Sequence, residues 1–284
     1  MIAYRATPDF NVDLRDVLSR AEGFKNFVYH DSSGVPTLGY GVALILQNAA
    51  GQWVVRSNLD PLLASIEIVL SSTQREALED AAQFLQNGNT AAAKALFPPP
   101  DADIVANPDL NTMGFTITEP EGNVLFTAAT KEAIGNLWTA LGGSLFDTVA
   151  LNTGTPYANR AAAEAAFETG AIAGSAELIA LASLAYNSPA TIGPDLQAAL
   201  TNGQRERAWF EIRYRTNGSS DPNERNGTAK RRFDEAHLFS LYDDVNNVGA
   251  VEAQRVIDFL FAAPTYANAK GPTNVAHMLA YSLG

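Results

Sequence analysis

With 284 residues, 46% of them apolar and 18% charged, the chain has the composition of a globular protein large enough to bury a full core, with no signature of disorder. The absence of cysteine excludes disulfides, thiolate nucleophiles and cysteine-bound metal, and fits synthesis in a reducing cytoplasm without excluding later export. A net charge of −12 removes any global steering toward an anionic polymer. Met1 to Phe10 lack the charged start and apolar core of a signal peptide, and the longest apolar stretch, near Ala171 to Ala185, is interrupted by Glu177, so no membrane span is expected.

In chain order, Asn11 to Gly23 reads as a helix, with Leu14, Val17, Leu18 and Ala21 on one face, Asn11 or Asp13 as cap and Gly23 as the C-terminal glycine. Val28 to Val42, with Asp31, Gly34, Pro36 and two further glycines, has the chemistry of a hairpin or small sheet. Beyond it the pattern is helical. Asn58 to Pro61 opens one helix, and Thr73/Glu76 and Thr118/Glu121 have capping-box spacing ahead of apolar runs. Pro98 to Pro100 stops the first group, and Gly142-Gly143 closes a helix starting near Glu119. Further helices are expected near 160–173, 176–187, 195–201, 204–214, 229–242, 250–262 and 273–282. A small β unit followed by many helices is an α+β fold.

One segment carries chemistry. Glu22 falls at the C-terminal end of the first helix, where the negative pole of the backbone dipole and the neighbouring Phe24, Phe27 and Val28 all favour a protonated carboxyl. Asp31, nine residues on, enters a turn beside serines and a glycine, where water and backbone donors favour the ionised form. Two carboxyls in opposed environments are what glycoside hydrolysis requires. Thr37, on the returning strand, offers a hydroxyl to hold a water near Asp31. Spacing alone does not separate this from a surface acid followed by a turn-forming Asp.

The flanking residues do more. The pattern Glu-x8-Asp-x5-Thr, with Glu22-Gly23 after the helix and Thr37-Leu38-Gly39-Tyr40-Gly41 on the strand, closely resembles glycoside hydrolase family 24, the phage endolysins and related bacterial muramidases. Phe115 to Glu121, Leu181 to Asn187 and Gly227 to Phe239 resemble later segments of that family. The resemblance implies a lysozyme-like α+β domain over 1–284, with a small hairpin lobe and a mainly helical lobe. It implies Glu22 as catalytic acid, with Asp31 and Thr37 completing the site and Asn187, Arg231 and Arg232 as substrate-binding candidates. It also implies cleavage of peptidoglycan glycan strands, with inversion and without a cofactor. The setting it implies is cell lysis, by an endolysin or by a secreted antibacterial effector with an immunity or delivery protein as partner. Such a protein is made in the cytoplasm and acts on the wall after release. The other reading is a non-catalytic wall-binding module of the same fold, against which intact Glu22, Asp31 and Thr37 argue.

The chain departs from the family pattern at Val42, where a histidine is usual. Residues 45–112 have no counterpart and read as a mostly helical insertion, and 245–284 as an extra tail. Eight basic residues between Arg205 and Arg232, against four acids, make that stretch +4 and leave the remainder at −16. They form either a solvated helix face or a basic wall for an anionic ligand; no nucleic-acid recognition motif accompanies them. His30 reads as an exposed turn residue, His277 as structural or exposed, and Trp53, Trp138 and Trp209 as packing residues. Asp101 and Asp103 lack the spacing of a calcium loop, and the three histidines, His30, His237 and His277, form no zinc pair.

Overall fold

The computed structural model describes residues 2–31, 33–48, 50–97, 113–215 and 222–269. Pro98 to Pro100, Asp101, Asp103, His277 and the helix expected at 273–282 lie outside them. The fold is α+β and predominantly helical. The chain divides into two compact units: one gathers the residues up to Val17 and from Glu132 onward, the other spans Leu18–Lys131.

The unit Leu18–Lys131 takes in the end of helix α1 (Phe10–Glu22), whose buried face is Phe10, Leu14 and Leu18. Asp9, not Asn11 or Asp13, caps α1: its Oδ1 accepts the Val12 N–H at 3.1 Å. Strand β1 (Lys25–His30) pairs antiparallel with β2 (Pro36–Gly39), which pairs with the short β3 (Val42–Ala43). Val42, where the family pattern has a histidine, is buried and lies opposite Leu38.

The stretch expected to be mostly helical opens instead on a second hairpin, β4 (Ile45–Gln47) with β5 (Trp53–Val55). Asn48 makes its turn, accepting the Ala50 and Gln52 N–H groups on Oδ1 at 2.9 and 3.0 Å. The buried Arg56 ties this hairpin to β3 by donating to the Ala43 carbonyl at 3.0 Å. Helices α2 (Leu59–Ala64), α3 (Ser72–Gln86) and α4 (Thr90–Leu96) follow. The capping box of α3 is Ser71/Gln74, two residues ahead of the expected Thr73/Glu76: Gln74 N–H donates to Ser71 Oγ and Ser71 N–H to Gln74 Oε1. Helix α5 (Glu119–Leu141) starts at the expected box, with Thr118 N–H donating to Glu121 at 2.6 Å.

In the other unit, Gly142 ends α5, but Gly143 begins a further helix, α6 (Gly143–Val149), that the Gly-Gly pair concealed. Then come α7 (Arg160–Glu168), ending at Thr169 ahead of the left-handed Gly170, and α8 (Ala176–Asn187), capped by Ser175 and buried along nearly its whole length. After α9 (Pro194–Thr201), α10 (Arg205–Phe210) runs into a π turn at Glu211–Arg215. Helix α11 (Pro222–Phe239) packs on α8, and α12 (Ala250–Ala269) packs on α10.

Candidate active site

Glu22 is the last residue of α1. Gly23, in the left-handed region at φ +66°, bonds back to the Ser19 carbonyl at 2.9 Å and turns the chain into β1. The Glu22 carboxyl lies against the turn between β2 and β3. A Cβ on Gly41 would stand 2.4 Å from Glu22 Oε2 and 2.8 Å from its Cδ. Glycine at 41, also at φ +75°, therefore lets the backbone close on the acid. Phe27 and Val28 of β1 are buried, and the Phe24 ring packs on Tyr40 with centroids 5.3 Å apart.

A test follows from this close approach. Gly41→Ala is expected to push the Glu22 carboxyl aside and to slow any reaction that relies on that carboxyl about 10²-fold, since a displacement near 1 Å costs about that much. Gly39→Ala is the control. Its φ of +64° imposes a similar backbone strain, but its Cβ would meet nothing nearer than Ile117 Cδ1 at 3.5 Å. It should be destabilised yet keep close to the wild-type activity per folded molecule. Equal activity losses in the two variants would show that strain, not Glu22, is what position 41 governs.

Asp31 follows β1 directly, at the opposite end of the hairpin's first strand. Its Oδ1 accepts the Ser33 N–H at 2.9 Å and the Val35 N–H at 2.8 Å, while its own N–H reaches the Val35 carbonyl at 2.9 Å. The expected backbone donors are thus Ser33 and Val35. His30 Nδ1 is bonded to the Asp31 carbonyl oxygen at 2.8 Å, and the ring is half-buried, not exposed. Thr37, buried at 4% exposure, sits opposite Tyr29 in the β1–β2 register and donates its hydroxyl to the Tyr29 carbonyl at 3.3 Å.

Tyr29, which the sequence did not single out, lies opposite Thr37 in the β1–β2 register. Burial raises its phenol above the ordinary tyrosine value, a side-chain hydrogen bond with Thr37 pulls it back, and the charges of Glu22 and Asp31 raise it further. One hydroxyl thus feels all three residues singled out from the sequence. The only signal in the sequence was its place, two residues before Asp31 on an alternating strand. Each cause has a sign that can be checked. Asp31→Asn removes a repelling negative charge, so Tyr29 should lose its proton at lower pH than in the wild type. Thr37→Val removes the bond that favours the phenolate, so Tyr29 should titrate higher. Ring-labelled tyrosine NMR, assigned with Tyr29→Phe, reads both shifts; movement in the opposite directions would remove Tyr29 from the site.

The other candidates lie in the second unit. Arg231 donates to Glu235 at 3.1 Å and to the Ser183 carbonyl at 3.0 Å; Arg232 is fully buried, paired with Glu235 and bonded to the side-chain oxygen of the exposed Asn187. Ser183 completes the cluster by donating to Glu235 at 2.6 Å. Arg205 is likewise fully buried, between Glu177 and Asp243. These three arginines form neither the solvated helix face nor the basic wall expected of the 205–232 stretch. Each is ion-paired inside the unit, Arg231 and Arg232 with the one carboxylate of Glu235, because an unpaired buried guanidinium is prohibitively costly. Elsewhere, Trp53, Trp138 and Trp209 are each half-buried, with Trp209 edge-on to Tyr214 at 5.9 Å. Among the described residues no group of three or more His, Asp or Glu is placed to hold a metal ion.

No protein-family model matches the chain, and no curated protein matches its sequence.

Proposed function

We propose that the protein is a peptidoglycan muramidase with a lysozyme-like fold, hydrolysing the β-1,4 bond between N-acetylmuramic acid and N-acetylglucosamine. The observation that carries this reading is that Glu22, Asp31 and Thr37 all border one hairpin, Glu22 against the β2–β3 turn, Asp31 in the turn after β1 and Thr37 in β2, in a sequence pattern that resembles glycoside hydrolase family 24. Glu22, held against Gly41 beside an aromatic cluster, hands its proton to the leaving sugar oxygen. Asp31, fixed in its turn by two N–H bonds, draws a proton from a water on the opposite face of the sugar. The Thr37 oxygen keeps acceptor capacity whichever Tyr29 group its single proton meets, and in this reading it holds that water. Direct displacement by water inverts the anomeric centre.

The wall is the site of action in this reading, reached by release or secretion, and an effector setting would add an immunity or delivery protein as partner. Among the described residues no helix is long and apolar enough to cross a membrane. The deciding experiment digests purified peptidoglycan and identifies the new chain ends by mass spectrometry. New reducing N-acetylmuramic acid ends, formed first as the inverted anomer by NMR, are the expected result. Reducing N-acetylglucosamine ends would assign a different glycosidase, and no new ends at all would leave the wall-binding module as the function.

A further inference from the structure

We propose that the α3–α4 hairpin, which belongs to the stretch without a counterpart in the family pattern, is a buttress that positions Asp31 through direct contact with Gly34. Gly34 is buried at φ +85°, in the turn that carries Asp31. Its N–H donates to the Asp31 carbonyl at 3.1 Å, and its neighbours Ser33 and Val35 supply the two N–H bonds to Asp31 Oδ1. Two backbone bonds that orient this carboxylate thus come from the residues on either side of Gly34.

The far side of Gly34 rests on α3 and α4. A Cβ there would lie 3.1 Å from Thr90 Cγ2, 3.4 Å from Leu85 Cδ2 and 3.4 Å from the Thr90 carbonyl oxygen. Thr90 is the first residue of α4, and Leu85 lies in the last turn of α3. This surface is itself held firmly. Asn89 caps α4 by accepting the Ala92 N–H at 3.2 Å and returns its own N–H to the Phe84 carbonyl at 2.8 Å, while Leu78, Ala81, Leu85 and Ala93 are buried beneath. Gln86 accepts the Trp53 N–H at 2.9 Å, joining α3 to β5. A turn closed by its own hydrogen bonds is weak alone in water. Packed against two fixed helices, it holds the carboxylate to the tolerance that proton transfer needs.

The inference rests on the reading of Asp31 as the carboxylate that activates water, so its test has one readout that does not depend on catalysis. Thr90→Ala removes the Cγ2 methyl that meets Gly34, and Thr90→Val keeps it; Leu85→Ala opens the same contact from α3. Amide hydrogen exchange at Ser33 and Val35, and kcat and KM on a soluble peptidoglycan oligosaccharide, are measured on the full chain. Thr90→Ala is expected to speed exchange at both amides about tenfold and to lower kcat about tenfold with KM unchanged, with Thr90→Val restoring both. Leu85→Ala should exceed Thr90→Ala on both measures if it folds. Unchanged exchange at Ser33 and Val35 in Thr90→Ala overturns the buttress whatever the activity. Faster exchange with unaltered kcat overturns its positioning role. A wild-type protein that cleaves nothing but shows the exchange pattern overturns the catalytic reading while keeping the mechanical one.

Discussion

Glu22→Gln is expected to leave the fold intact and to reduce glycan cleavage by about 10²–10⁴-fold, the usual cost of losing a general acid. The change is nearly isosteric, so the side chain remains against Gly41 and the turn between β2 and β3 need not move. What disappears is the proton, because an amide cannot donate one to a departing sugar oxygen. Asp31→Asn should also be severe, though for a different reason: the amide oxygen still accepts the Ser33 and Val35 N–H groups, so the turn persists while the base is lost. Thr37→Ala removes only an acceptor for water and the bonds to Tyr29, and should be the mildest of the three. The measurement is the rate of new reducing ends on purified peptidoglycan, with thermal unfolding as the check on folding. A Glu22→Gln protein that retains more than a tenth of the wild-type rate would falsify the assignment of the acid.

The parts of this fold that were legible in the sequence are those where one local signal decides the outcome. Gly23 ends α1 because only glycine takes its left-handed angle at no cost, and Thr118/Glu121 starts α5 because that spacing closes two backbone donors at once. Where two signals compete, sequence reasoning went astray. Ser71/Gln74 and Thr73/Glu76 are overlapping boxes, and the tertiary fit of α3 selects the first. Gly142-Gly143 is a stop followed at once by a start. The β4–β5 strands are three residues each, too short for alternation to register. The site shows the same limit. Glu22, Asp31 and Thr37 were singled out by the resemblance of their flanking residues, not by their spacing alone, whereas Tyr29 enters only through strand register, which sets its side chain with Thr37. The 205–232 stretch misled for a related reason. Charge counted along a chain does not reveal which guanidiniums point inward, and Arg205 and Arg232 are among the most completely buried side chains of the protein.

Arg205→Met is expected to destabilise its unit by about 3–5 kcal/mol, the cost of removing one partner from a buried ion pair. The guanidinium has five N–H donors, and the structure gives it five acceptors. Nε meets Asp243 at 2.6 Å, Nη1 the carbonyls of Phe239 at 2.6 Å and Ser240 at 3.3 Å, and Nη2 the Ala3 carbonyl at 2.7 Å and Glu177 at 2.9 Å. This one side chain joins the N-terminal segment to α8 and to the residues that follow α11. Nearby, burial first of all pushes the Tyr4 phenol up to about 12, so it stays neutral, while Arg205 acts to lower it. Methionine fills much of the volume but leaves the fully buried Glu177 with Arg5 alone, at 3.0 Å, and strands three carbonyls. Lysine should not rescue, because a compact ammonium has three donors and cannot span the same five acceptors. Removing both charges in Arg205→Met/Glu177→Met should recover part of the loss, since an apolar pair carries no desolvation penalty and the partly exposed Arg5 can turn to water. Denaturant unfolding of the four proteins closes the double-mutant cycle. If Arg205→Met costs less than about 1 kcal/mol, the network contributes no more than a surface ion pair does, and the reading of Arg205 as an internal counter-ion fails.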